Sequence, residues 1–121
     1  MKKILLVEDK PSISRLIVQF LSKTFEVTTK EDGLQALAWL QEGNIPHLII
    51  TDLQMPELDG FELIGRVKES GFFKDIPIVV LSSKDSSTDR IKCLKMGAED
   101  YMVKPFNPEE LQIRIERILD R

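Results

Sequence analysis

The chain has 121 residues, 20 acidic and 17 basic, for a formal net charge of −3, and 42% of it is hydrophobic. That length suits one domain with a real core and leaves no room for a second of ordinary size. The acidic, mixed-sign balance gives no reason to expect a nucleic-acid groove or a membrane face, and a lone cysteine, Cys93, fits a reducing cytoplasm.

Residues 1–7 briefly imitate a signal peptide, but the apolar run stops at Glu8-Asp9, too soon for secretion or membrane insertion. Residues 4–7 instead read as a strand buried on both faces. A helix follows Pro11, with Ile13, Leu16, Ile17, Phe20 and Leu21 on its apolar face. Residues 25–29 alternate, as a less protected strand does. The next helix starts near Asp32 with Gln35 three residues on, a capping box, and is expected to bury Leu34, Leu37 and Ala38 with Trp39 in packing contact. Residues 48–50 form another unbroken strand. Asp59 and Glu62 repeat the helix-start signal before Phe61, Leu63, Ile64 and Val67. Residues 78–81 are a third buried strand, and a helix over residues 87–96 ends at Gly97. A short strand at 101–103 precedes a last helix with Asn107 as cap, Pro108 in the first turn, and Leu111, Ile113, Ile115, Ile118 and Leu119 on its face. His47 reads as a surface residue and Cys93 as a small apolar filler.

Five strands alternating with five helices predict a parallel sheet with helices on both faces. In such sheets ligands bind beyond the carboxyl ends of the strands. Glu8 and Asp9 follow the first strand, Asp52 the third, Ser82 and Ser83 the fourth, and Lys104 the fifth. Taken singly, the acid pair is a polar stop, Asp52 a loop cap, and the serines turn chemistry. Together on one rim, three carboxylates need a cation, and hard oxygen ligands without nearby His or Cys suit Mg2+. Beside such an ion and a lysine, Asp52 can act as a nucleophile toward phosphorus, with the Ser82 hydroxyl on a transferring oxygen.

The ordered set Glu8-Asp9, Asp52 within residues 51–56, Asp59-Gly60, Ser82, Gly97-Ala98, Tyr101 and Lys104-Pro105-Phe106 resembles the receiver domain of two-component response regulators. The resemblance spans the chain and implies a flavodoxin-like, doubly wound (βα)5 α/β fold with strand order 2-1-3-4-5 across residues 1–121. It implies that Asp52 takes a phosphoryl group from a sensor histidine kinase or phosphotransfer protein. Mg2+, with Mn2+ as a substitute, is then held by Asp9, Asp52 and the backbone carbonyl of Gln54, with Glu8 contributing directly or through water. Lys104 holds the phosphoryl oxygens, and the Lys104-Pro105 bond is expected to be cis. On phosphorylation Ser82 moves toward the new group and Tyr101 swings into the vacated space. The surface of the fourth helix, fifth strand and fifth helix then controls an output partner or domain. Gln54 and Lys84 flank the path of the hydrolytic water and tune phosphoryl lifetime. Arg90, Asp100, Glu110 and Arg114 stand where related transcription regulators carry cross-subunit ion pairs, the basis for a homodimer of the phosphorylated form; Lys95 departs from that pattern. Such a protein is a switch and not a turnover enzyme, catalysing only its own phosphorylation and dephosphorylation. A haloacid-dehalogenase-type phosphatase needs a second aspartate where Gln54 stands. A flavodoxin would meet Glu8-Asp9 where it binds phosphate. A receiver-like module that is never phosphorylated is the remaining alternative.

Overall fold

A computed structural model describes residues 1–83 and 86–121. Its elements run β1 (Lys3–Val7), α1 (Pro11–Leu21), β2 (Glu26–Lys30), α2 (Gly33–Gln41), β3 (Leu48–Thr51), α3 (Gly60–Glu69), β4 (Ile78–Ser82), α4 (Ser87–Lys95), β5 (Asp100–Val103) and α5 (Pro108–Leu119). The five strands form one parallel sheet in the order β2-β1-β3-β4-β5. The two strands read as less protected, β2 and β5, are its edges. Among the described residues no helix is long and apolar enough to cross a membrane.

Side chains alternate across the sheet, so each central strand feeds two cores. Leu5, Val7, Ile49, Ile78 and Val80 pack with residues of α2, α3 and α4 on one face. Ile4, Leu6, Leu48, Ile50, Val79 and Leu81 pack with residues of α1 and α5 on the other. Three helix starts follow the expected caps: Asp32 accepts from the Gln35 N–H, Asp59 from Glu62, and Asn107 from Glu109 and Glu110, while α4 is capped by Ser86, which accepts from the Asp89 N–H. Gly97 ends α4 at φ +109°, in the left-handed region.

The helix faces differ from expectation at four positions. Leu16, Leu34 and Ile113 are about half exposed, and Ala38 is exposed as well. On α2 the buried line is Gly33, Ala36 and Leu40, with Leu37 beside it. The cause is Gly33, whose N–H donates to the Leu58 carbonyl at 3.1 Å. A Cβ there would lie 2.6 Å from that oxygen, so only glycine lets this end of α2 approach, and the buried face follows from it. On α1, Val18 packs against the core where Leu16 does not.

Candidate metal and phosphoryl site

Three sheet hydrogen bonds carry the rim residues into place. The Glu8 N–H donates to the Lys30 carbonyl at 2.9 Å, Asp52 to Val7 at 3.1 Å, and Lys104 to Ser82 at 2.8 Å. Each strand thus extends its pairing by one residue and delivers a functional side chain to the same edge. The Lys104-Pro105 peptide bond is cis, as expected.

Glu8, Asp9 and Asp52 each offer a carboxylate oxygen, and these atoms lie within 4.8 Å of one another. The Lys104 ammonium bridges two of the acids, 2.6 Å from Glu8 Oε1 and 3.2 Å from Asp52 Oδ2. Glu8 Oε2 accepts from the Lys10 N–H at 3.2 Å, and Asp52 Oδ1 from the Leu53 N–H at 2.7 Å. Burial raises the Glu8 carboxyl above its ordinary range, the bonds from Lys104 and the Lys10 backbone oppose that, and the nearby Asp52 charge adds to the rise. Asp9 Oδ1 is buried and has no hydrogen-bond partner among the described residues. A buried, unpartnered carboxylate oxygen beside two other acids is what a hard divalent cation satisfies.

A cavity of about 510 Å³ opens beside Asp9, walled in part by Gln54, Met55, Asp59 and Phe61. Its wall is the β3–α3 loop, in which Glu57 takes a left-handed φ of +66°. The Gly60 N–H donates to the Leu53 carbonyl at 2.9 Å and closes the loop onto the strand end. Gln54 is exposed and lines the cavity.

Ser82 is buried at the end of β4. Tyr101 is also buried, at 7% exposure, with the Arg90 guanidinium 5.8 Å from its ring centroid. Burial raises the Tyr101 hydroxyl, while a hydrogen bond shared with Ser82 pulls it down. The Tyr101 ring is thus buried and linked to Ser82. Lys84 lies outside the described residues. Of the four residues singled out for a dimer face, Arg114 pairs within its own chain, with Asp100 at 2.9 Å and Glu110 at 3.5 Å. The Asp100–Arg114 pair, expected across subunits, closes here because Arg114 on α5 faces the start of β5. The Asp100 bond is the main reason the Arg114 guanidinium is pushed up.

Two site residues were not foreseen. Phe61 lines the cavity and carries the Lys92 ammonium 4.1 Å from its ring centroid, tying α3 to α4. Lys10 contributes its backbone N–H to Glu8. Neither leaves a sequence signal, because one depends on helix packing and the other on main-chain direction.

The sequence model of the response regulator receiver domain matches residues 4–116. A two-component response regulator, ORR3 of Oryza sativa subsp. indica, is 42% identical over 93% of this chain and 84% of its own length. The probable transcriptional regulator ycf27 of Cyanophora paradoxa is 42% identical over 99% of this chain, which spans only 49% of that longer protein. The receiver domain of sensor histidine kinase PA1611 from Pseudomonas aeruginosa PAO1 superposes with a TM-score of 0.89 at 32% identity, covering 99% of this chain and 98% of that one. That domain was solved with a magnesium ion coordinated in its active-site cleft.

Proposed function

The chain belongs to the response regulator receiver domain family, and from that premise we propose that it is a phosphorylation-dependent signalling switch. Asp52 Oδ attacks the phosphorus of a phosphohistidine on a sensor kinase or phosphotransfer protein. The P–N bond breaks as the P–O bond forms, and the imidazole, already protonated on its other ring nitrogen in the phosphohistidine, takes the P–N electron pair and leaves as the neutral base. The observation that carries this reading is the meeting of three acids and one lysine at a single strand edge. Asp9, Asp52 and the Gln54 carbonyl would hold Mg2+, or Mn2+ in its place, with Glu8 as the third acid. When bound, the ion neutralises charge on the transferring oxygens.

Lys104 stands 3.2 Å from Asp52 Oδ2, close enough to follow a group carried by that carboxylate. Ser82 can donate to a second oxygen, and doing so alters its bond with Tyr101. Tyr101 sits on β5 between the site and the α4-β5-α5 surface, so the charge at the rim is read by an output partner or domain. Gln54 and Lys84 tune how long the group persists. Dimerisation of the phosphorylated form through Arg90, Asp100, Glu110 and Arg114 requires Arg114 to exchange its own Asp100 for that of the other subunit. Both partners are partly exposed, so the exchange costs little. Residues 1–121 act as one receiver domain whose only chemistry is on itself.

Acetyl phosphate with Mg2+ tests the reading by intact mass. One phosphoryl adduct is expected, absent in Asp52→Asn and after chelation. An unmodified wild-type protein would favour the phosphorylation-independent module.

A further inference from the structure

At the edge of the sheet opposite β5, β2 pairs with β1 alone, and the other side of its backbone is open. In a parallel ladder, alternate residues turn both backbone groups to the same neighbour. The Glu26 N–H donates to the Lys2 carbonyl and the Lys30 carbonyl accepts from the Glu8 N–H, so Glu26, Thr28 and Lys30 face β1. Val27 and Thr29 therefore turn their N–H and C=O groups outward along the free edge. Charges on an edge strand ordinarily block further pairing. Here they are opposite in sign and symmetric, Glu26 and Lys30 each standing two residues from Thr28. Neither has an ion-pair partner among the described residues. We propose that the β2 edge is a self-complementary interface, pairing antiparallel with β2 of a second copy of this chain around Thr28.

That register satisfies backbone and side chains together. Val27 and Thr29 fall opposite Thr29 and Val27 of the second copy, as hydrogen-bonded pairs that use the outward groups. Glu26 and Lys30 fall opposite Lys30 and Glu26, in the non-hydrogen-bonded pairs where side chains come closest. In-register parallel pairing would set like charges side by side, and a slipped antiparallel one would separate the ion pairs. A groove of about 520 Å³ beside Val27 and Thr29, lined also by Ser14, Arg15 and Val18 of α1, leaves room for the second strand's side chains. Arg15 is tied back to its own helix start, its Nε donating to the Pro11 carbonyl at 3.3 Å. The opposite edge has no such match: the one charge on β5, Asp100, is already paired with Arg114. Edge-to-edge pairing sets the two strand directions opposed, so the acid rims open at opposite poles. Each α4-β5-α5 surface lies at an outer end of the joined sheet. The dimer thus needs no phosphoryl group and covers neither the site nor the output surface.

Strands of five residues bury little area, so the dimer belongs to the weak class, and sedimentation equilibrium without phosphodonor tests it up to about 1 mM protein. Wild type should dimerise. Glu26→Lys and Lys30→Glu should each weaken association by about tenfold or more, since each sets like charges opposite one another. An equimolar mixture of the two variants should associate within about threefold of wild type, because each meets the opposite sign in the other. Thr29→Pro removes an outward N–H without touching the β1 ladder, and should abolish the dimer while circular dichroism shows the fold retained. In wild type, the Val27 and Thr29 amides should exchange with solvent more slowly as protein concentration rises. A wild-type chain that stays monomeric throughout overturns the proposal and leaves the edge to a strand of some other protein or to solvent. A dimer that Glu26→Lys leaves unchanged places the interface elsewhere and overturns it too, as does a mixture that associates no better than the single variants.

Discussion

Replacing Lys104 by methionine removes the cation that separates two enclosed acids. Glu8 and Asp52 then face each other with side chains 2% and 8% exposed. Deleting one partner of a buried pair costs about 3–5 kcal/mol, and the slight exposure of this ammonium discounts that toward about 2–3 kcal/mol without metal. The loss depends on pH. Burial holds the Glu8 carboxyl above its ordinary value of 4.5, and both Lys104 contributions that oppose this vanish in the variant. A carboxyl raised in the fold binds more protons there than in the unfolded chain. Its contribution to stability is full below 4.5 and falls as pH rises through the folded value, further in the variant than in wild type. Urea unfolding in chelator at about pH 5 and about pH 8 should therefore show the larger deficit at the higher pH. Adding Glu8→Gln removes the acid as well and should restore most of the stability. A Lys104→Met variant within about 0.5 kcal/mol of wild type at about pH 8, or a double variant no more stable than the single, refutes this reasoning.

Gly60→Ala should lower stability by about 3 kcal/mol and slow phosphorylation, since a Cβ at 60 would lie 2.2 Å from the Asp52 carbonyl oxygen and 2.7 Å from the Leu53 Cα, neither of which can yield cheaply. Gly71→Ala meets nothing within 4 Å and should be neutral or slightly stabilising; equal losses in the two variants would contradict the packing described. Burial, aided by Asp89, pushes the Cys93 thiol from 9.0 up to about 11. The native protein should react slowly with a disulfide reagent. Its stability should be flat with respect to this thiol below pH 9.0, then fall by up to about 3 kcal/mol as pH rises toward 11, a fall missing in Cys93→Ala.

The strands were legible because a sheet buried on both faces demands unbroken branched runs, and residues 4–7, 48–50 and 78–81 contain little else. Helix starts were legible because Asp32, Asp59 and Asn107 announce themselves by what stands two or three residues on. Helix faces were less so. Periodicity places large residues inward, yet on α2 the close approach of Gly33 to Leu58 turns the inward face to Ala36 and Leu40 and leaves Leu34 outside. The rim acids were readable because strand ends in a parallel sheet have a known destination. Their separate roles were not, since these depend on which oxygen the Lys10 backbone and the Lys104 ammonium reach. The inward position of Tyr101 likewise depends on packing between α4 and β5, which no linear pattern records.

The claim that Asp52 is the phosphoryl acceptor is tested most directly by borohydride trapping. Protein treated with acetyl phosphate and Mg2+ is reduced with borohydride, which converts an aspartyl phosphate to homoserine and leaves free carboxylates untouched, and is then digested and sequenced by mass spectrometry. Homoserine should appear at position 52 and nowhere else, and only when both donor and metal are supplied. Homoserine at Asp9 or another acid, or none in protein that retained its fold, would contradict the account.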